Sequence, residues 1–145
     1  MATTTNAPVE LMQLQPYIFF YGRCEEALDF YKNVLGGTYE AMHVKDSPMA
    51  DQMPADFRDK VMHASFTAPG IAFMASDGRE AKTIDPDAGN ISIALSVTDG
   101  AEGERILKAL SEGGTVTMPL DKAFWGGRFA MFVDRFGIEW MMTTP

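Results

Sequence analysis

The chain repeats itself, and that constrains its fold more than any single motif. Shifted by 67 places, Met62 to Phe66 and Gly70 to Met74 fall on Phe129 to Val133 and Gly137 to Met141, sharing the pattern Gly-Ile-x-aromatic-Met. Shifted by 77 places, Pro16 to Phe20, the segment after it and Gly36-Gly37 fall on Ile93 to Val97, a second such segment and Gly113-Gly114. The ten-residue difference sits in one loop, Lys45 to Lys60 in the first half, matched only by Lys122 to Gly127 in the second. A duplicated chain must build the same supersecondary unit twice and bury the apolar face of each copy.

Both halves read alike. Tyr17 to Phe20 and Ile91 to Val97 have the aromatic and β-branched composition of strands. A helix follows each: Ala27, Phe30, Tyr31 and Val34 recur at helical spacing in the first, Ile106, Leu107, Ala109 and Leu110 in the second. Gly22 and Asp99 occupy matching positions with a Glu three places on (Glu25, Glu102), the spacing of an N-cap with a reciprocal partner. The glycine pairs are expected to end the two helices. Short strands are predicted at 38 to 44, 61 to 67 and 71 to 76, then 115 to 120, 128 to 133 and 138 to 143. The expectation is an α+β fold of two β-α-β-β-β repeats, about 13–78 and 88–143, forming a cupped mixed sheet within one domain spanning 1–145.

With 145 residues, 46% of them apolar, the chain suffices for one sizeable core. Met1 to Met12 is Thr-rich and lacks the basic start and apolar run of a secretory signal. No stretch approaches a membrane span. The single Cys forbids an intramolecular disulfide and fits a reducing cytoplasm. The formal charge is -8 and the twelve Lys and Arg are dispersed, which argues against nucleic acid as a partner, since phosphate binding needs concentrated positive charge.

Certain motifs carry a family resemblance. Pro16-Tyr17-Ile18-Phe19-Phe20 with Gly22, Glu26-Ala27-Leu28-Asp29-Phe30-Tyr31 before Leu35-Gly36, His63-Ala64 and Phe73-Met74-Ala75-Ser76-Asp77 come first. Phe124-Trp125-Gly126-Gly127-Arg128 and Asp134-Arg135-Phe136-Gly137 with Trp140 follow. In order and spacing the chain resembles the vicinal oxygen chelate superfamily of glyoxalase I, bleomycin-resistance proteins and extradiol dioxygenases, and within it the PhnB-like branch sometimes labelled 3-demethylubiquinone methyltransferase. The resemblance implies the glyoxalase/bleomycin resistance fold, a homodimer and sheets wrapped around small-molecule pockets. It also implies four metal-ligand positions on the first and fourth strands of each unit, which here are Gln15, Met74, Ser92 and Met141. Two thioethers, a hydroxyl and an amide are poor donors for a hard or borderline divalent cation, so no metal cofactor is expected at those positions. A displaced site would have to use His63, Glu139 or Gln15.

By strand alternation, Ser92, Ala94 and Ser96 face the concave side while Ile93, Leu95 and Val97 face the helices, and the repeat carries the concave set to Gln15, Tyr17 and Phe19. His63 is expected to point into the cup beside Ser65, with Val61 and Thr67 on the same face. It reads either as an acid or base near neutral pH or as a hydrogen-bonded wall residue. Glu139 shares a face with Met141 and is either a proton-abstracting carboxylate or a solvated rim residue. His43 reads as structural. Cys24 lies in the first helical turn beside Glu25 and Glu26, with no Cys-His-Asn arrangement around it. Trp125, between Phe124 and two glycines, is either a pocket lid or a core plug. Ser76-Asp77-Gly78 reads as a turn signal. Two functions follow. One is a binding module whose cup is lined by Gln15, Tyr17, Phe19, His63, Ser65, Met74, Ser92, Ser96, Trp125 and Met141. The other is a lyase, isomerase or dioxygenase, metal-dependent or using His63 and Glu139. Methyl transfer finds no nucleotide-binding glycine-rich turn.

Overall fold

A computed structural model describes residues 12–145. The first unit runs β1 (Tyr17–Phe19), α1 (Cys24–Leu35), β2 (Thr38–His43), β3 (Val61–Ala68) and β4 (Ile71–Ser76). The second runs β5 (Ile93–Ser96), α2 (Gly100–Leu110), β6 (Thr115–Lys122), β7 (Arg128–Val133) and β8 (Glu139–Thr144). Each forms a four-stranded sheet, ordered β1-β4-β3-β2 and β5-β8-β7-β6, with the first and fourth strands of the unit parallel and the other pairs antiparallel. The duplication is therefore reproduced element by element, but the 67-place alignment of β3 with β7 is one residue out of register: Ser65 stands opposite Met74 as Met131 stands opposite Met141, a shift of 66.

One core serves both units. Ala27, Leu28, Tyr31 and Val34 of α1 and Ile106 and Leu110 of α2 pack with Phe66 and Phe73 of the first sheet and Phe132, Trp140 and Met142 of the second. The ring of Tyr31 meets Phe73 on one side and Trp140 on the other, with centroids 6.2 and 5.6 Å away. Each fully buried large side chain in such a core contributes about 1.5–3 kcal/mol of transfer free energy. Because both helix-side faces converge on this core, the opposite faces point outward, and in a single chain the two sheets remain separate ladders whose concave faces both lie open. Among the described residues β1 and β2 end the first sheet and β5 and β6 the second.

Three further local expectations are corrected. Gly22 does not cap α1: Arg23 occupies the N-cap without a side-chain bond, and Glu26 pairs with Arg23 at 2.9 Å instead of reaching back. The carboxylate of Asp77, at the far end of β4, does the capping, its Oδ1 accepting from the backbone N–H of Gly22 and of Cys24, both at 2.8 Å. Its Oδ2 accepts from Val61 N–H, also at 2.8 Å, and the residue is buried. Asp77 is thus far more than a turn residue. The second unit caps α2 locally, Asp99 Oδ1 accepting from Ala101 N–H at 2.9 Å and Glu102 N–H at 3.4 Å. Where the first unit has glycine and no side chain to offer, a distant carboxylate takes the role.

The second correction concerns β3. A bulge opposite Met42 and His43 inserts an extra residue, so Val61 turns into the core with Ala64 and Phe66 and does not share the face of His63. Met62 packs instead on a small cluster of Val44, Met53 and Phe57, built from three single 3-10 turns in the Lys45–Lys60 insertion. Third, α2 stops at Leu110 with Ser111 as C-cap, before Gly113-Gly114. Gly37 and Gly114 have a different shared duty. A Cβ at either position would sit 2.2 Å from Thr67 O or 2.0 Å from Val133 O, so the chain presses against the backbone of a neighbouring strand in both units.

Candidate functional site

Strand register assigns the residues to faces. On the first sheet a concave row crosses Glu40, Ser65, Met74 and Tyr17; on the second the equivalent row crosses Met118, Met131, Met141 and Ala94. Each row is flanked by parallel ones: Met42 and His63 beside Phe19, and Asp121, Phe129, Thr143 and Ser96 beside the second. Tyr17 and Phe19, on the edge strand β1, are 39% and 45% exposed. Their centroids lie 5.2 Å apart, and Phe19 stacks at 6.0 Å on Tyr21, which holds a left-handed backbone with φ of 50°. The result is a row of three rings along β1 and the turn after it.

The polar candidates are held in pairs. Tyr17 Oη and His63 Nδ1 are 3.3 Å apart, with ring centroids at 5.7 Å. Ser92 Oγ donates to Glu139 Oε1 on the other sheet. Ser96 Oγ accepts from Thr143 Oγ1 at 3.2 Å, and Gln15 Nε2 donates to Gln13 Oε1 at 3.1 Å. The structure brings Tyr17, Phe19, His63, Ser65 and Met74 to one concave face and Ser92, Ser96, Glu139 and Met141 to the other; Gln15 lies before β1, outside the strand ladder, and among the described residues its side chain bonds only to Gln13. Trp125 is 58% exposed in the β6–β7 turn and packs edge-on against Phe129 at 5.4 Å, so it leans over the second face rather than plugging the core. Phe124 beside it is 98% exposed. His43 is structural, its Nε2 lying 2.9 Å from Glu25 Oε1.

The metal-ligand positions implied by the resemblance do not suit a divalent ion. Met74 and Met141 offer thioethers, Gln15 an amide engaged with Gln13, and the hydroxyl of Ser92 is taken up by Glu139. Among the described residues no three His, Cys, Asp or Glu side chains gather closely enough to hold a metal. Nor is Cys24 a nucleophile: it is fully buried, and burial, then Asp77 and Glu25, push its thiol well above the ordinary range. Alkylation of the native protein by iodoacetamide should therefore be slower by orders of magnitude than in denaturant; rapid native labelling read by mass spectrometry would contradict the burial.

A cleft between the units borders the second concave face at Ala94 and Ser96 of β5. About 640 Å³ in volume, it is lined by Leu35, Ile71, Phe73, Leu95, Ile106 and Trp140 among others. No helix among the described residues is long and apolar enough to cross a membrane.

A family model described as 3-demethylubiquinone-9 3-methyltransferase matches residues 12–143. The chain belongs to that family. Protein PA1353 from Pseudomonas aeruginosa is 44% identical, its crystal structure superposing with a TM-score of 0.78 over 92% of this chain and 97% of that one. Protein YjdN of Escherichia coli K12 is 26% identical over 140 residues, covering 90% of this chain and 94% of its own length. A PhnB protein from Bacillus cereus, at 23% identity and a TM-score of 0.72, covers 92% and 100%. A glyoxalase/bleomycin resistance/dioxygenase superfamily member from Sphaerobacter thermophilus, at 23% and 0.55, covers 93% and 99%. These likenesses establish the glyoxalase/bleomycin resistance fold. The two 1-4-3-2 sheets differ in strand order from a doubly wound dinucleotide-binding sheet.

Proposed function

We propose that this PhnB-like protein is a homodimer that binds a small, partly apolar molecule in cups, each made from one concave face of each chain, without a divalent metal at the positions glyoxalases use. The observation that carries this reading is the exposure of Tyr17, Phe19, Met42 and Met118 on faces that a single chain leaves open. Exposed apolar patches of this kind mark binding surfaces. Two further features support it. The terminal strands β1, β2, β5 and β6 have no outer strand partner among the described residues and so offer backbone groups for a second copy to meet, and the donor set at Gln15, Met74, Ser92 and Met141 is poor for a hard cation.

A catalytic variant of the same site has one specific support: His63 and Glu139 are each oriented by a hydroxyl, from Tyr17 and Ser92 respectively. A lyase or isomerase needs an acid and a base so held.

Light scattering combined with calorimetric titration of Ni, Zn, Mn and Fe(II) tests the proposal. The expected result is a mass twice the 15.9 kDa of one chain and no stoichiometric metal. A persistent monomer would remove the shared cup, and one ion per chain bound below about micromolar Kd, roughly 8 kcal/mol of binding, would remove the metal-free reading.

A further inference from the structure

Charge is sorted by face in both sheets. The eight strands contain three carboxylates, Glu40, Asp121 and Glu139. All three stand on concave rows: Glu40 opposite Ser65, Asp121 opposite Phe129 and Glu139 opposite Val133. The strands contain only two cations, Lys122 and Arg128. These pair with each other and with Thr144, a buried residue on the helix side, and Arg128 reaches Glu104 of α2 at 3.7 Å. No Lys or Arg therefore projects from a strand into either concave face.

We infer that these faces accept a ligand with a flat apolar body that is cationic or neutral, and reject anions such as carboxylates and phosphonates; this rests on the binding reading above. An anion entering the cup would meet three carboxylates and no lysine or arginine borne by a strand, while losing its hydration. A cation would meet Glu139 on one wall. On the other it would meet the row of Tyr17, Phe19 and Tyr21, whose π-faces attract positive charge. The chain already uses one of those faces in this way: the linker residue Lys82 places its ammonium 4.4 Å from the centroid of Tyr21, while its carboxylate partner Glu80 is 3.9 Å away. Of the other lining residues, Ser65, Ser96, Thr143 and the methionines carry no charge, and His63 is held against Tyr17.

Three probes of one shape separate the possibilities: 1-naphthylmethylammonium, 1-naphthylmethanol and 1-naphthoate, titrated by calorimetry into the full chain at low and high salt. The ammonium should bind about tenfold tighter than the carboxylate, with the alcohol between them and the preference shrinking as salt rises. Glu139→Gln should weaken ammonium binding about fivefold and leave the alcohol unchanged, consistent with loss of one partly solvated charge contact. Asp121→Asn, on an edge strand, gives the same comparison with a smaller effect should the Glu139 variant fold poorly. Naphthoate binding as tightly as the ammonium, or equal preference in both variants, overturns the charge inference and leaves the pocket standing. No binding by any of the three removes the binding reading, and this inference with it.

Discussion

Asp134→Ala is expected to destabilise the chain by about 4–5 kcal/mol, seen as a lower urea midpoint with a two-state transition. The magnitude follows from what the carboxylate holds. It is buried and accepts from Phe136 N–H at 2.9 Å, Ile138 N–H at 3.1 Å, Trp140 Nε1–H at 2.9 Å and the Tyr31 hydroxyl. Removing it strands donors from three segments in a site water does not reach, each costing about 1–3 kcal/mol in partial compensation with the others. The Tyr31 bond also joins α1 of the first unit to the β7–β8 turn of the second. Burial, then the charge of Asp134, hold the Tyr31 phenol well above its ordinary pKa, so it stays a donor throughout the neutral range. Tyr31→Phe, which removes one donor and keeps the ring, should cost about 1–2 kcal/mol; parity with Asp134→Ala would show that the inter-unit bond dominates.

Asp77→Ala should cost about 3–4 kcal/mol, and Asp77→Asn about half that, since an amide oxygen still accepts but carries no charge. Three backbone donors lose their partner at once: Gly22, Cys24 and Val61. Two of them begin α1 and the third begins β3, so hydrogen exchange should open the helix start and the strand start together. If urea unfolding of the alanine variant moved by less than about 1 kcal/mol, water would have to be replacing the carboxylate at the helix start.

These two residues also mark where the sequence stopped being legible. The paired strands, both helices and the alternation that sorts Ile93 from Ala94 follow from periodicity, and the duplication states them twice. Asp77 is different because its partners are backbone amides up to 55 residues away, and a backbone amide leaves no mark in composition. A hint was present in the mismatch between Gly22 and Asp99: one helix start had a capping side chain and its repeat did not. The β3 bulge was hidden for a related reason. It is a one-residue break in backbone pairing beside the Lys45–Lys60 insertion, and side-chain alternation does not register such a break. For the candidate site, alternation was enough to place side chains on faces. It carries no information about which faces meet, because the outward direction of both concave surfaces is set by the packing of α1 and α2 into one core.

That shared core has a consequence for the order of events when the chain folds. Within each unit the longest strand pairing, β1 with β4, joins residues such as Tyr17 and Met74, 57 places apart, whereas the Tyr31–Asp134 bond closes a separation of 103 residues. Closing so long a loop is entropically costly and is repaid only once both partners are formed, so docking of the units belongs after the rate-limiting barrier. Stopped-flow kinetics should then show Asp134→Ala unfolding much faster than the parent and refolding at nearly the same rate, while Asp77→Ala, acting inside one unit, slows refolding as well.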